Sequence, residues 1–136
     1  MYRHFSTLRT NALALTACRN LGPGWDLASI HSEEENNFVF NLVSPPVIRW
    51  LGGVRDRSAS VPMSFVNTDG TPFDFSAWNP GTSEPNDLGG VEDCVQMGHA
   101  NYMNANWNDA SCSFRRAYVC KRNWGMPCRG HVTDFR

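Results

Sequence analysis

Residues 84–94 read Glu-Pro-Asn-Asp-Leu-Gly-Gly-Val-Glu-Asp-Cys, and residues 107–112 read Trp-Asn-Asp-Ala-Ser-Cys. The first stretch carries Glu84, Asn86, Asp87, Glu92 and Asp93, four of them acids, with no base among them. Asn108 and Asp109 begin fifteen residues after Asp93. Unpaired carboxylates in one loop repel one another, so such a cluster is either fully solvated or gathered around a cation. Carboxylates mixed with side-chain amides are hard oxygen donors, the kind that suits Ca²⁺. The cluster lacks the His and Cys ligands that zinc or copper would prefer. On composition alone the solvated loop and the cation site both stand.

The rest of the chain bounds the problem. At 136 residues it is long enough for one domain with a core of its own. Hydrophobic residues make up 41% and charged residues 18%, which excludes the disordered class. A net charge of −1 and a pI of about 6.4 argue against a general nucleic-acid binder. No apolar run approaches the ~18 residues of a membrane span. Ala12–Ala17 is too short, and lacks the flanks, to be a signal peptide, so any export signal is expected to have been removed or to lie outside this sequence. Cys18 stands alone near the start, while Cys94, Cys112, Cys120 and Cys128 crowd the last third without a Cys-x-x-Cys pair. Scattered cysteines that must meet across a fold point to structural disulfides and an oxidising compartment. An odd number leaves one over.

Working outward, helical spacing of Leu13, Ala14, Ala17 and Leu21 predicts a helix over 10–19, stopped by Gly22-Pro23-Gly24. Trp25–Ile30 reads as a short strand. Ser32 and Glu35 form a capping box that opens a second helix, with Phe38, Leu42 and Val43 on its buried face and Pro45-Pro46 at its end. His31 and the glutamates lack the His-Glu-x-x-His spacing of a zinc motif, so they read as a solvated first turn. Val47–Leu51 is a strand closed by Gly52-Gly53. Residues 54–90 form a long loop with short strands expected near 65–66 and 73–78. Loops of that length in a compact domain are functional or disordered. The aromatic content of this one argues for order, and a bound ion would supply it. Cys94–Met97, a segment starting at Trp107, and Ala117–Cys120 read as strands.

The joint order of Glu84-Pro85-Asn86, Glu92-Asp93-Cys94, Trp107-Asn108-Asp109, Cys112 and Cys120 resembles the carbohydrate-recognition domain of the C-type lectins. Trp50-Leu51-Gly52-Gly53 resembles that family's core strand motif, and Ser29–Glu33 the entry to its second helix. The resemblance runs from about Tyr2 to Arg122, giving a domain over 1–122 and a tail over 123–136 with an unpaired cysteine. It implies an α+β C-type lectin-like fold: two helices, two small antiparallel sheets and a long calcium-binding loop region.

It also implies a site by position. Glu84, Asn86, Glu92, Asn108 and Asp109 would hold the Ca²⁺ and contact the sugar, with Pro85 in a cis peptide. Glu84 as acceptor and Asn86 as donor go, in this family, with equatorial vicinal hydroxyls. The ligands expected are therefore glycans ending in mannose, N-acetylglucosamine (GlcNAc) or fucose, on glycoproteins or microbial surfaces, as in innate immunity. Family disulfides would pair Cys18 with Cys120 and Cys94 with Cys112. Cys128 would then link two chains into a homodimer or stay a free or capped thiol. A secreted, extracellular, non-enzymatic protein follows.

Departures matter. Asp87 and Asp93 match the near half of an auxiliary calcium site, but the loop after Trp50 offers only Asp56, flanked by Arg55 and Arg57. That second site is expected to be weak or absent. Asn11 stands where the family often has tryptophan. A glycosidase reading would use Glu84 and Glu92 as acid and base, but a metal cage keeps both ionised. His99, between the two calcium segments, reads as a surface histidine that could also touch a ligand. The remaining rival keeps the fold but acts as an interaction, matrix or mineral-associated protein through another surface.

Overall fold

The computed structural model describes residues 1–60 and 64–123. In chain order these form β1 (Tyr2–Arg9), α1 (Asn11–Arg19), β2 (Trp25–Leu27), α2 (Glu33–Phe40), β3 (Arg49–Arg55), β4 (Phe65–Asn67), β5 (Cys94–His99), β6 (Tyr102–Ala110) and β7 (Arg116–Arg122). Trp124, Cys128 and the rest of the tail lie outside the described residues.

The architecture is α+β, as expected. β1 and β2 pair antiparallel with β7, and β4, β5 and β6 build antiparallel outward from β3. The two antiparallel groups are fused into one sheet by a short parallel contact, Arg49 and Trp50 against Ala117 and Tyr118. Two disulfides fasten this frame: Cys18–Cys120 ties α1 to β7, and Cys94–Cys112 ties β5 to the turn after β6. No helix among the described residues is long and apolar enough to cross a membrane.

Both helices start where their caps predict. The Thr10 hydroxyl accepts from Leu13 N at the head of α1, and the Ser32 hydroxyl from Glu35 N at the head of α2. Their buried faces differ from expectation. Leu13 is exposed, and α1 lays Asn11, Ala14 and Cys18 on the core. α2 buries Glu35, Asn36 and Val39, while Phe38 is largely exposed beside Tyr2. The reason is chemical: the polar residues of α2 carry the links to the sheet. Glu35 accepts from His31 N (2.8 Å) rather than from the cap's own amide, and its other oxygen takes Tyr2 O–H and Lys121 Nζ. Asn36 donates to Ala105 O and accepts from Trp107 Nε1 (2.8 Å).

Gly52 and Gly53 do not close a strand; they lie inside β3. A Cβ on Gly52 would meet Leu27 O at 2.8 Å, and one on Gly53 would meet Phe73 and Val95 at under 3 Å. The glycines let β2 and an aromatic cluster press against the sheet. That cluster joins Phe65, Phe73, Phe75, Trp78 and Trp107, with ring centroids 4.9–6.4 Å apart. Residues 73–78 form no strand; they are held by this packing and by one bridge from Trp78 to Trp107. Apolar packing thus contributes to the order of the first half of the long loop.

Candidate calcium and sugar site

β6 is the platform. Its ladder with β5 sets Asn108 opposite Gln96 and Asp109 opposite Val95, which puts Asp109 beside the segment entering β5, where Glu92 and Asp93 lie. Trp107 anchors β6 from below through Asn36. It also donates from its backbone to Ala77 O and accepts from Asn79 N, which draws the 77–79 segment alongside. Asn79 then caps a short 3₁₀ turn, Pro80–Thr82, and that turn delivers Glu84.

The Glu84–Pro85 peptide is cis. Ser83 (φ 56°) and Asp87 (φ 47°) bracket the Glu84-Pro85-Asn86 triplet in the left-handed region. Non-glycine residues in that region carry strain that collects at functional loops. Asp109 pulls the triplet in, because its carboxylate accepts from Asn86 N (3.1 Å) and Asp87 N (2.8 Å). Asp87 and Glu92 close the following turn reciprocally: Glu92 N donates to Asp87 and Leu88 N to Glu92.

The result brings Glu84, Glu92 and Asp109 together. A carboxylate oxygen from each lies within 4.8 Å of the others. The Asp109 side chain is fully buried. Glu84 Oε1 is buried with no hydrogen-bond partner among the described residues. Burial, a hydrogen bond with the Asp109 carboxyl and the charges of Asp109 and Glu92 push the Glu84 carboxyl up to about 7. Burial likewise raises Glu92. Convergent hard oxygens, one of them orphaned, with raised proton affinity, are a donor set that fits a calcium ion. Of the five expected ligands, Glu84, Glu92 and Asp109 converge, while Asn86 and Asn108 lie next to them in the chain.

Asp87 and Asp93 are drawn instead to guanidinium groups. Arg57 Nη2 lies 2.7 Å from Asp87 Oδ1 and 2.7 Å from Asp93 Oδ1. Arg55, almost fully buried, donates to Asp109 Oδ2 (2.5 Å) and to Glu92 O (3.1 Å). The arginines flagged in the sequence as unfavourable neighbours are bonded into the loop.

His99 sits elsewhere. It pairs with Tyr102 at the far tip of the β5–β6 hairpin, four strand residues from Val95 or about 13 Å. A polar cluster that sequence reading missed joins Asp74, His31 and Ser29 in the order carboxylate, imidazole, hydroxyl (2.7 and 3.1 Å). It is structural: Ser29 is buried and its hydroxyl donates to Asp69 rather than to the imidazole. No sequence spacing marks it, because Asp69 and Asp74 arrive from the long loop.

Comparison with known proteins gives one family for nearly the whole chain. Residues 8–122 match the Lectin C-type domain. A lectin of Pleurodeles waltl is 34% identical over 137 residues, covering 94% of this chain and 72% of that protein. Two solved structures superpose with a TM-score of 0.72. One is the cow CD23 carbohydrate-recognition domain in the presence of GlcNAc2Man3 oligosaccharide, 30% identical over 90% of this chain and 88% of that one. The other is a calcium-independent type II antifreeze protein, 32% identical over 89% and 85%.

Proposed function

The chain belongs to the C-type lectin domain family, a family of binding domains rather than enzymes, and from that premise we propose that it binds mannose-type sugars in a calcium-dependent way. The observation that carries this reading is the convergence of Glu84, Glu92 and Asp109 around an unpartnered, buried Glu84 oxygen. Glu84, Asn86, Glu92, Asn108 and Asp109 would hold the ion. Bound there, calcium supplies coordination positions that two vicinal hydroxyls complete. Glu84 and Glu92 accept the hydroxyl protons, while the Asn86 and Asn108 amides donate to the hydroxyl oxygens. The acid-then-amide order of Glu84 and Asn86 favours equatorial 3- and 4-hydroxyls: mannose, GlcNAc, glucose, and fucose by its equivalent pair. One open site of this kind binds weakly, so linkage of two chains through Cys128 would raise affinity by avidity. Two disulfides suit a secreted protein in an oxidising compartment.

The test is retention on immobilised mannose. Wild-type protein is expected to bind in calcium and to elute with EDTA. Glu84→Gln with Asn86→Asp is expected to lose mannose at least tenfold and gain galactose. Retention unchanged by the swap would refute the site. The second reading, a calcium-independent role through another face, draws on the likeness to a calcium-independent antifreeze protein. It predicts a protein that ignores mannose and keeps its partner in EDTA.

A further inference from the structure

Half-exposed Arg57 bonds three oxygens along the 87–93 loop. Its guanidinium reaches Asp87 Oδ1 and Asp93 Oδ1, both at 2.7 Å from Nη2, and the Gly90 carbonyl at 3.1 Å. Its Nε lies 2.8 Å from Asp93 Oδ1. These contacts span the loop from its turn at Asp87 to its exit at Asp93. Arg55 continues the connection inward. It bonds Asp109 and the Glu92 carbonyl, lies 3.6 Å from Asp93, and stacks on the Phe65 ring of the aromatic core at 4.7 Å.

We propose that Arg57, backed by Arg55, is the resident cation of this loop: it fills the place of a second metal ion and keeps residues 84–93 in ligand-ready shape without calcium. Guanidinium and divalent cation repel, and Asp87 and Asp93 cannot serve both at the observed distances. Arginine suits the task because its planar fork meets two carboxylates at once, which a lysine point charge does not.

The single-ion part rests on the calcium reading above; the ordering part does not. The experiment therefore has two arms on the full chain. Hydrogen–deuterium exchange in EDTA reads the 84–93 segment, whose Asn86, Asp87, Leu88 and Glu92 amides are bonded to carboxylates. Wild type is expected to protect them, Arg57→Gln to exchange at least tenfold faster, and Arg57→Lys to recover less than half of the protection. Calorimetric titration with calcium chloride is expected to give one ion per wild-type chain. It is expected to give several-fold weaker binding for Arg57→Gln, because calcium must then order the loop itself. The sign decides the role: a merely repulsive arginine would make the variant bind calcium more tightly. Equal exchange of wild type and Arg57→Gln in EDTA, tighter calcium binding by the variant, or two ions per wild-type chain would each overturn the proposal. A wild-type chain that takes no calcium would sink the calcium reading and the single-ion claim. The exchange arm would still decide whether Arg57 orders the loop.

Discussion

Burial and the neighbouring carboxylates raise the Glu84 carboxyl to about 7, an unusual value for a residue proposed to meet a cation. The sign of the consequence can be worked out. A carboxyl whose folded pKa lies above its unfolded value stabilises the metal-free fold below about pH 4.5, and that stability is lost as pH rises through about 7. Glu92 shifts in the same direction. His4, lowered by burial and by Arg49, has the opposite sign: it adds stability above about pH 6.5. Asp69, Asp74 and Asp87 are held low and finish titrating in acid. The clean comparison is therefore wild type against Glu84→Gln across pH 5–8. In EDTA the wild-type melting temperature is expected to fall relative to the variant as pH rises. Calcium affinity should move the other way, gaining roughly fivefold from pH 6 to 7, because binding displaces the Glu84 proton. A calcium titration at each pH checks this, and an affinity flat from pH 6 to 8 would refute it. That Glu84, Glu92 and Asp109 would gather was legible in the sequence, and they do converge. The proton on Glu84 was not, because it arises from burial and from neighbours brought together by folding.

At the scale of elements, caps were legible and buried faces were not. Ser32 and Glu35 announce α2 from sequence alone, yet its other end is closed by a residue no pattern would nominate. Arg49 opens β3 with a fully buried side chain. Its guanidinium donates to the Val39 and Phe40 carbonyls at the end of α2 (3.3 and 3.0 Å) and to Val47 O (2.7 Å), and it stacks on Phe40. A cation at a helix C-terminus is favourable, and burial lowers the Arg49 pKa to about 10 without neutralising it. Charged residues are almost never fully buried, so hydropathy reads position 49 as a surface residue. Arg49→Met should fill similar volume but take the side-chain donor from the Phe40 and Val47 carbonyls, while Val39 O keeps its bond from Leu42 N. We expect a loss of about 3 kcal/mol, seen as a fall of roughly 10 °C in Tm. The Gly52-Gly53 reading failed for a related reason. Glycine marks a strand end and a close backbone approach alike, and only the position of β2 tells them apart.

At the scale of the molecule, the two disulfides divide the labour, and this division is testable. Cys18–Cys120 spans 102 residues and joins α1 to β7, neither of which carries Glu84, Glu92 or Asp109. Cys94–Cys112 spans 18 residues and sits between them: Cys94 follows Glu92-Asp93, and Cys112 comes three residues after Asp109. The chain-entropy argument gives the long link about 4.7 kcal/mol and the short one about 3. Stability and function should therefore separate in opposite senses. Replacing Cys18 and Cys120 by alanine should cost more in melting temperature, while the folded fraction binds calcium as wild type does. Replacing Cys94 and Cys112 should cost less in melting temperature yet weaken calcium binding, because β5 and β6 then hold the carboxylates less firmly. Asn11 N still donates to Cys112 O, so that turn keeps one tie to α1 and the domain should remain folded. Thermal melts paired with calcium titration on both variants decide the matter. If the Cys18–Cys120 variant loses calcium affinity while the Cys94–Cys112 variant keeps it, then the site is not carried by the β5–β6 platform.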